Sequence, residues 1–180
     1  MKKSKHALVI LLAVLAAGTV SAQSMNKDSG YYGEAGYSAI KLDDGYTSAT
    51  PKLARFIFGA NINTNLDVEG MVALTTTNGD WKNNDGNGKA SAKHFGFYAK
   101  PKIEIAQDTE VFGRLGISHT SWKSETSTDS GSDSFTKLAY GIGIQTQFTK
   151  DVYGQIDYMN LGKKQGLSAK GITFSIGTRF

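Results

Sequence analysis

Gly171-Ile172-Thr173-Phe174-Ser175-Ile176-Gly177-Thr178-Arg179-Phe180 alternates strictly. Successive side chains of a strand point to opposite faces. Ile172, Phe174, Ile176, Thr178 and Phe180 therefore share one face, and Gly171, Thr173, Ser175, Gly177 and Arg179 the other. A soluble sheet avoids so apolar an exposed edge, because it would pair with other chains. The pattern suits a strand whose greasy face meets lipid while its small or polar face looks into a closed barrel.

The same parity recurs upstream in seven segments of about ten residues, the length of a tilted membrane-crossing strand. They are Tyr31 to Leu42, Lys52 to Ile62, Leu66 to Thr75, Ala92 to Ile105, Glu110 to His119, Phe135 to Phe148 and Val152 to Tyr158. Short turns at Asn63 to Asn65, Ala106 to Thr109 and Thr149 to Asp151 alternate with longer polar stretches. Those are Asp43 to Thr50, Thr76 to Ser91, Thr120 to Ser134 and Asn160 to Ser168, which read as solvated loops. The expected fold is all-β: an eight-stranded, antiparallel, up-and-down transmembrane β-barrel with four extracellular loops. Pro101 cannot donate to a ladder, so a bulge is expected to absorb it.

The N-terminus reads as an export signal. Lys2, Lys3 and Lys5 precede the apolar run Ala7 to Ala17, and Val20-Ser21-Ala22 is a small-residue cleavage site. The expected organisation is a signal peptide over 1–22, cleaved after Ala22, and a barrel domain over 23–180. The formal charge of +4 belongs largely to the signal, whose three lysines face no acid; residues 23–180 carry +1. That balance gives no footing for nucleic-acid binding. There are no cysteines, hence no disulfide or thiolate chemistry, and no stretch after residue 22 reads as a membrane helix.

The contents of the two faces separate a membrane barrel from a soluble ligand-binding one. The apolar face is the one that includes Phe180. The opposite face mixes glycine and serine with Glu34, Arg55, Asp67, Glu69, Lys100, Lys102, Arg114, Asp157 and Arg179. An eight-stranded lumen holds only side chains, and an unpaired buried charge costs several kcal/mol. These nine residues are expected to form a luminal ion-pair network rather than line a channel. Aromatic belts are expected from Tyr31, Tyr32, Phe148, Tyr153 and Phe180 at one end and from Trp122, Tyr140 and Tyr158 at the other.

The chain resembles the small eight-stranded outer-membrane barrels of Gram-negative bacteria: the OmpA transmembrane domain, OmpX/Ail and opacity-type proteins. Gly30 to Tyr37, Asn65 to Gly70, Tyr140 to Ile144 with Val152 to Tyr158, and Phe174 to Phe180 carry the resemblance. It implies that Phe180 is the assembly signal read by the barrel-assembly machinery. The resemblance is specific for architecture and does not fix activity; the expected partners are outer-membrane lipids and lipopolysaccharide, and the expected role is structural or adhesion-type, toward host or neighbouring cells. The barrel is expected to be a monomer.

Chemistry is sparse. His94 and His119 lie in no metal-ligand spacing, so neither metal nor cofactor is expected. Some outer-membrane barrels modify lipid A with a Ser/His pair and an acid, which makes Ser121, His119 and Glu125 the one enzyme candidate. A polar residue at the membrane interface explains His119 as well, and the reading is non-enzymatic. A small pore is the remaining alternative. Trp81 and Trp122 stand out as aromatics in loop-like sequence.

Overall fold

The computed structural model describes residues 30–83, 86–126, 130–164 and 166–180. The expected signal segment and its cleavage point lie outside them. All the regular structure described is β: β1 (Tyr31–Asp43), β2 (Ser48–Ala49), β3 (Lys52–Asn63), β4 (Leu66–Thr77), β5 (Gly79–Asn83), β6 (Gly86–Ala106), β7 (Thr109–Glu125), β8 (Ser130–Gln147), β9 (Val152–Lys164) and β10 (Leu167–Arg179). Eight of these form the wall, in the order β1-β3-β4-β6-β7-β8-β9-β10, and β10 pairs back with β1. The closing register runs from Tyr32 opposite Arg179 to Asp43 opposite Ser168. Phe180 and Tyr31 finish it with reciprocal backbone hydrogen bonds of 2.9 and 3.2 Å. Every neighbouring pair is antiparallel, as the eight alternating segments predicted.

The apolar face points outward. Phe97 is 76% exposed, and Phe58, Ile117, Leu138 and Phe174 are exposed with it. Such a surface would be an aggregation hazard in water and is what lipid requires. At the end carrying the tight turns, which we call the turn end, Tyr31 stacks on Phe58 at 5.7 Å and Phe58 lies 6.3 Å from Phe180. Three members of the expected belts point elsewhere. Tyr32 and Tyr153 are buried in the lumen, and Trp122 packs against the luminal core. Their parity is that of the inward residues, and parity outranks the general habit of aromatics at interfaces.

Of the long polar stretches, Asp43 to Thr50 is a turn with the two-residue β2, while the other three are largely strand. β7 and β8 stay paired from Thr109 opposite Thr146 to Glu125 opposite Ser130. β5 pairs with the start of β6, and β9 with β10 up to Lys164 opposite Leu167. Serine, asparagine and aspartate disfavour strands locally, but pairing and burial override that preference. Ala90 in these stretches and Ala92 and Phe135 at their borders are buried, which anchors the hairpins. The strands meeting at this hairpin end are long: β6, β7 and β8 have 21, 17 and 18 residues.

Pro101 is accommodated without a bulge. The β6–β7 register is the same on both sides of it, from Ala99 opposite Leu115 to Lys102 opposite Phe112. Its exposed ring faces outward, beside Gly113, where an added Cβ would stand 3.7 Å from it. One irregularity of the wall sits in β9, where the register shifts opposite Ala169 and Lys170 and Gly162 takes a φ of 109°. Glycine alone adopts this backbone without strain. Beyond Asn160 opposite Tyr140, β9 stays with β10 and leaves β8. The Lys164 ammonium closes that gap, donating to the Asp133 carboxylate at 2.9 and 3.0 Å and to the Ser134 carbonyl at 2.9 Å.

Candidate functional site: the lumen and the outer hairpin face

Inward parity brings six of the nine charged residues into one cluster. Arg114 makes a two-pronged contact with Glu69, from Nε to Oε2 at 2.5 Å and from Nη2 to Oε1 at 3.1 Å. Its Nη2 is 3.5 Å from Glu34, and its Nη1 is 3.0 Å from Asp157. Arg55 grips Asp157 with both terminal nitrogens and donates to Ser175 Oγ at 2.9 Å. Lys100 lies 3.3 Å from Glu69 and 3.5 Å from Glu34, and donates to Gln145 at 3.1 Å. Its ammonium also stands 4.4 Å above the Phe112 ring, a cation–π contact in a desolvated place.

Two further residues hang from this cluster through tyrosine. The Tyr32 hydroxyl donates to Glu69 at 2.7 Å and lies 3.3 Å from Asp67. Asp67 pairs with Lys102 at 2.9 Å and accepts from Asn61 at 2.6 Å. Arg179 stands apart at the turn end, bonded to Gln147 and 3.8 Å from Glu110. Glu110 was not among the residues expected in the network, and neither were Tyr153 and Gln155. Tyr153 and Gln155 donate to Glu34 at 2.8 and 2.7 Å. Their inward parity with Glu34, Arg114 and Asp157 was the available signal. Four acids and four bases fill the membrane level of the lumen, which leaves it without net charge. Tyr32 and Tyr153 reach the axis only because Gly59 and Gly177 lie under their rings; a Cβ there would stand 2.2 and 2.3 Å from ring carbon.

Above the charges the lumen changes character. His94 bridges Thr120 at 3.0 Å and Tyr98 at 2.8 Å. Past it, an apolar core runs to the hairpin end, with Ile40, Leu53, Met71, Met159 and Leu161 all at most 5% exposed. The cavity between His94 and this core measures about 10 Å³, no more than one water. The lumen is filled by side chains at both levels.

The enzyme candidate divides. His119 and Ser121 share the outward face of β7, with Ser121 Oγ 3.3 Å from His119 Nε2. His119 Nδ1 is 2.9 Å from Thr136 Oγ1, and Phe95 stacks on the ring at 4.9 Å. Glu125 is elsewhere, bound to Lys123 at 2.5 Å, because Lys123 lies between it and Ser121 on the same face. Among the described residues the hydrogen-bond partners of His119 are the Thr136 and Ser121 hydroxyls, and no carboxylate orients it. Among the described residues there is no cluster of His, Cys, Asp or Glu able to hold a metal.

Known proteins show the same architecture. The attachment invasion locus protein Ail of Yersinia pestis superposes with a TM-score of 0.64 at 22% identity, over 86% of this chain and all of that one. Neisserial surface protein A gives 0.67 at 13% identity, over 83% and 97%. OprG of Pseudomonas aeruginosa gives 0.58 at 13%, over 85% and 97%. No curated protein matches the chain. The model of the outer membrane protein beta-barrel domain matches residues 10–180, and the chain belongs to that family, with the fold seen in Ail and NspA.

Proposed function

We propose that this protein is a non-enzymatic scaffold in the outer membrane that presents its hairpin end, with four connections, to host or neighbouring-cell surfaces. The observation that carries the reading is the ordered projection of β6, β7 and β8, of 21, 17 and 18 residues. Crossing the bilayer takes about 9–11 residues. The surplus stays paired, so a contact surface is built before any partner arrives. The outward side chains at this height include Lys41, Lys93, Lys123 and Lys170, all exposed, which suits an anionic polysaccharide. Ail has been crystallised with the heparin analogue sucrose octasulfate, and that supports the same class of partner here.

The same reading takes residues 1–22 as a signal removed after Ala22, Phe180 as the residue read by the assembly machinery, and the barrel as a monomer among outer-membrane lipids and lipopolysaccharide. Cells with and without the protein, applied to immobilised heparin and to each other, test it. Retention that depends on the protein and falls with added salt is expected; equal retention sinks the adhesion role.

The 3.3 Å approach of Ser121 to His119 favours a second reading, lipid A modification. Mass spectra of lipid A that are identical with wild-type protein and Ser121→Ala remove it. A small pore would give steady conductance in planar bilayers, which the filled lumen argues against.

A further inference from the structure

The chain has only two tryptophans, 41 positions apart in sequence, and both line one cleft at the hairpin end of the barrel axis. Each is held in place. The Trp81 Nε1–H donates to Ser124 Oγ at 3.1 Å, and the ring lies over Gly88, where a Cβ would stand 2.6 Å from it. Trp122 packs against the luminal apolar core. The floor between them is Ala49 and Ala90, small residues that leave a space of about 250 Å³. One rim carries Asp44 and Thr47, in a turn fixed by the Asp44 carboxylate, which accepts the Tyr46 and Thr47 N–H groups at 2.9 and 2.7 Å.

We propose that this cleft binds the pyranose ring of a neutral oligosaccharide. A sugar ring has an apolar C–H face and a hydroxyl edge. The cleft offers indole faces and an alanine floor for the first, and a carboxylate and hydroxyl rim for the second. Its volume lies just below the range of roughly 300–1,000 Å³ typical of drug-sized ligands, so it takes one ring. A lipid acyl chain is the wrong occupant, because Ala49, Ala90 and Trp122 are inward residues and the cleft opens along the axis, not toward the bilayer. The site is separate from the outward lysines proposed for polyanions, and it rests on the hairpin end facing outward only for its access to surface glycans.

Because both tryptophans lie in the cleft, tryptophan emission, excited at the red edge where tyrosine does not absorb, reports on it alone. Refolded protein in nanodiscs is titrated with maltotriose and with chitotriose. A saturable change in emission with at least one of them, at a dissociation constant near the millimolar range, is expected. Trp122→Phe keeps a ring and should weaken binding several-fold; Trp122→Ala should abolish it, as read by calorimetry. The unboiled-gel mobility shift establishes that each variant is folded. No response to either sugar at roughly tenfold above a millimolar constant overturns the proposal. So does equal affinity in folded Trp122→Ala, or a response only to a leucine- and phenylalanine-rich tripeptide, which would assign the cleft to protein side chains. Titration in nanodiscs requires no cell, so its failure leaves the adhesion reading standing.

Discussion

The two halves of the lumen solve one problem differently. At membrane level, acids and bases fill the space in pairs, with Arg114 touching Glu69, Glu34 and Asp157. At the hairpin end, Leu53, Met71, Met159 and Leu161 fill it with hydrocarbon. The outside of the wall is greasy beside the charges and still so beside Met71 and Met159, where Val72, Leu74, Tyr158 and Ile172 are exposed, and it turns polar further out at Lys41, Lys93 and Lys170. Where lipid surrounds the wall, the hydrophobic effect acts on the outer face and polar side chains are sorted inward. Where water surrounds it, the ordinary arrangement returns, and the hairpins are stabilised as in a soluble sandwich. One barrel thus carries a membrane protein's interior and a soluble protein's interior in series.

The largest expected effect tests the charged half. Arg114→Met leaves Glu69, Glu34 and Asp157 crowded without their shared cation. Removing one partner of a buried pair costs about 3–5 kcal/mol, and urea unfolding of the protein in lipid vesicles should show a loss of that size. A loss below about 1 kcal/mol would mean the lumen is hydrated enough to screen its charges.

The apolar half should respond by cavity formation. Leu161→Ala is expected to cost about 2–4 kcal/mol in the same assay. Amide exchange should rise in the β8–β9 and β9–β10 hairpins and not around Arg114. Exchange rising equally at both levels would erase the distinction between the halves.

Gly177→Ala probes the seat of Tyr153. The added methyl would meet ring carbon at 2.3 Å, and overpacking of this kind costs about 1–3 kcal/mol. Pairing it with Tyr153→Phe should recover only part of that loss, because it removes the hydroxyl at 2.5 Å and leaves the ring carbons at 2.3 and 2.7 Å.

The smallest effect is electrostatic and belongs to the watery end. The Lys164 ammonium, with the Ser134 backbone N–H, holds the Asp133 carboxyl below its usual range. A carboxyl lowered by folding stabilises the fold above its unfolded pKa, and the contribution disappears as pH falls through the folded value. Acidification below about pH 4 should therefore loosen the junction of β8 with the β9–β10 hairpin. Amide exchange at Ser134 is the readout, and Lys164→Met should remove most of this response, leaving the part that the Ser134 N–H sustains.

Strand parity made much of this barrel legible. Phe174 and Ile172 outward and Glu34 and Arg114 inward follow from period-two alternation, and β10 closing on β1 from the rule that a sheet in lipid leaves no open edge. What it left unread has specific causes. The stretches around Trp81, Trp122 and Ser134 looked like loops because their polar residues speak for turns. Their pairing depends on Ala90, Ala92 and Phe135 finding a core built from distant strands. Glu125 looked near enough to serve His119, yet on one strand face Lys123 intervenes and takes it.

By itself, then, the sequence determined the class of fold and the face on which each side chain stands, because alternation is a local property of an extended chain. The tertiary structure decided which side chains meet. Face is encoded in steps of two along one strand, while height in the barrel depends on register between strands. Only closure set Arg55 against Asp157, 102 positions away, and drew Trp81 and Trp122 to the two sides of one cleft.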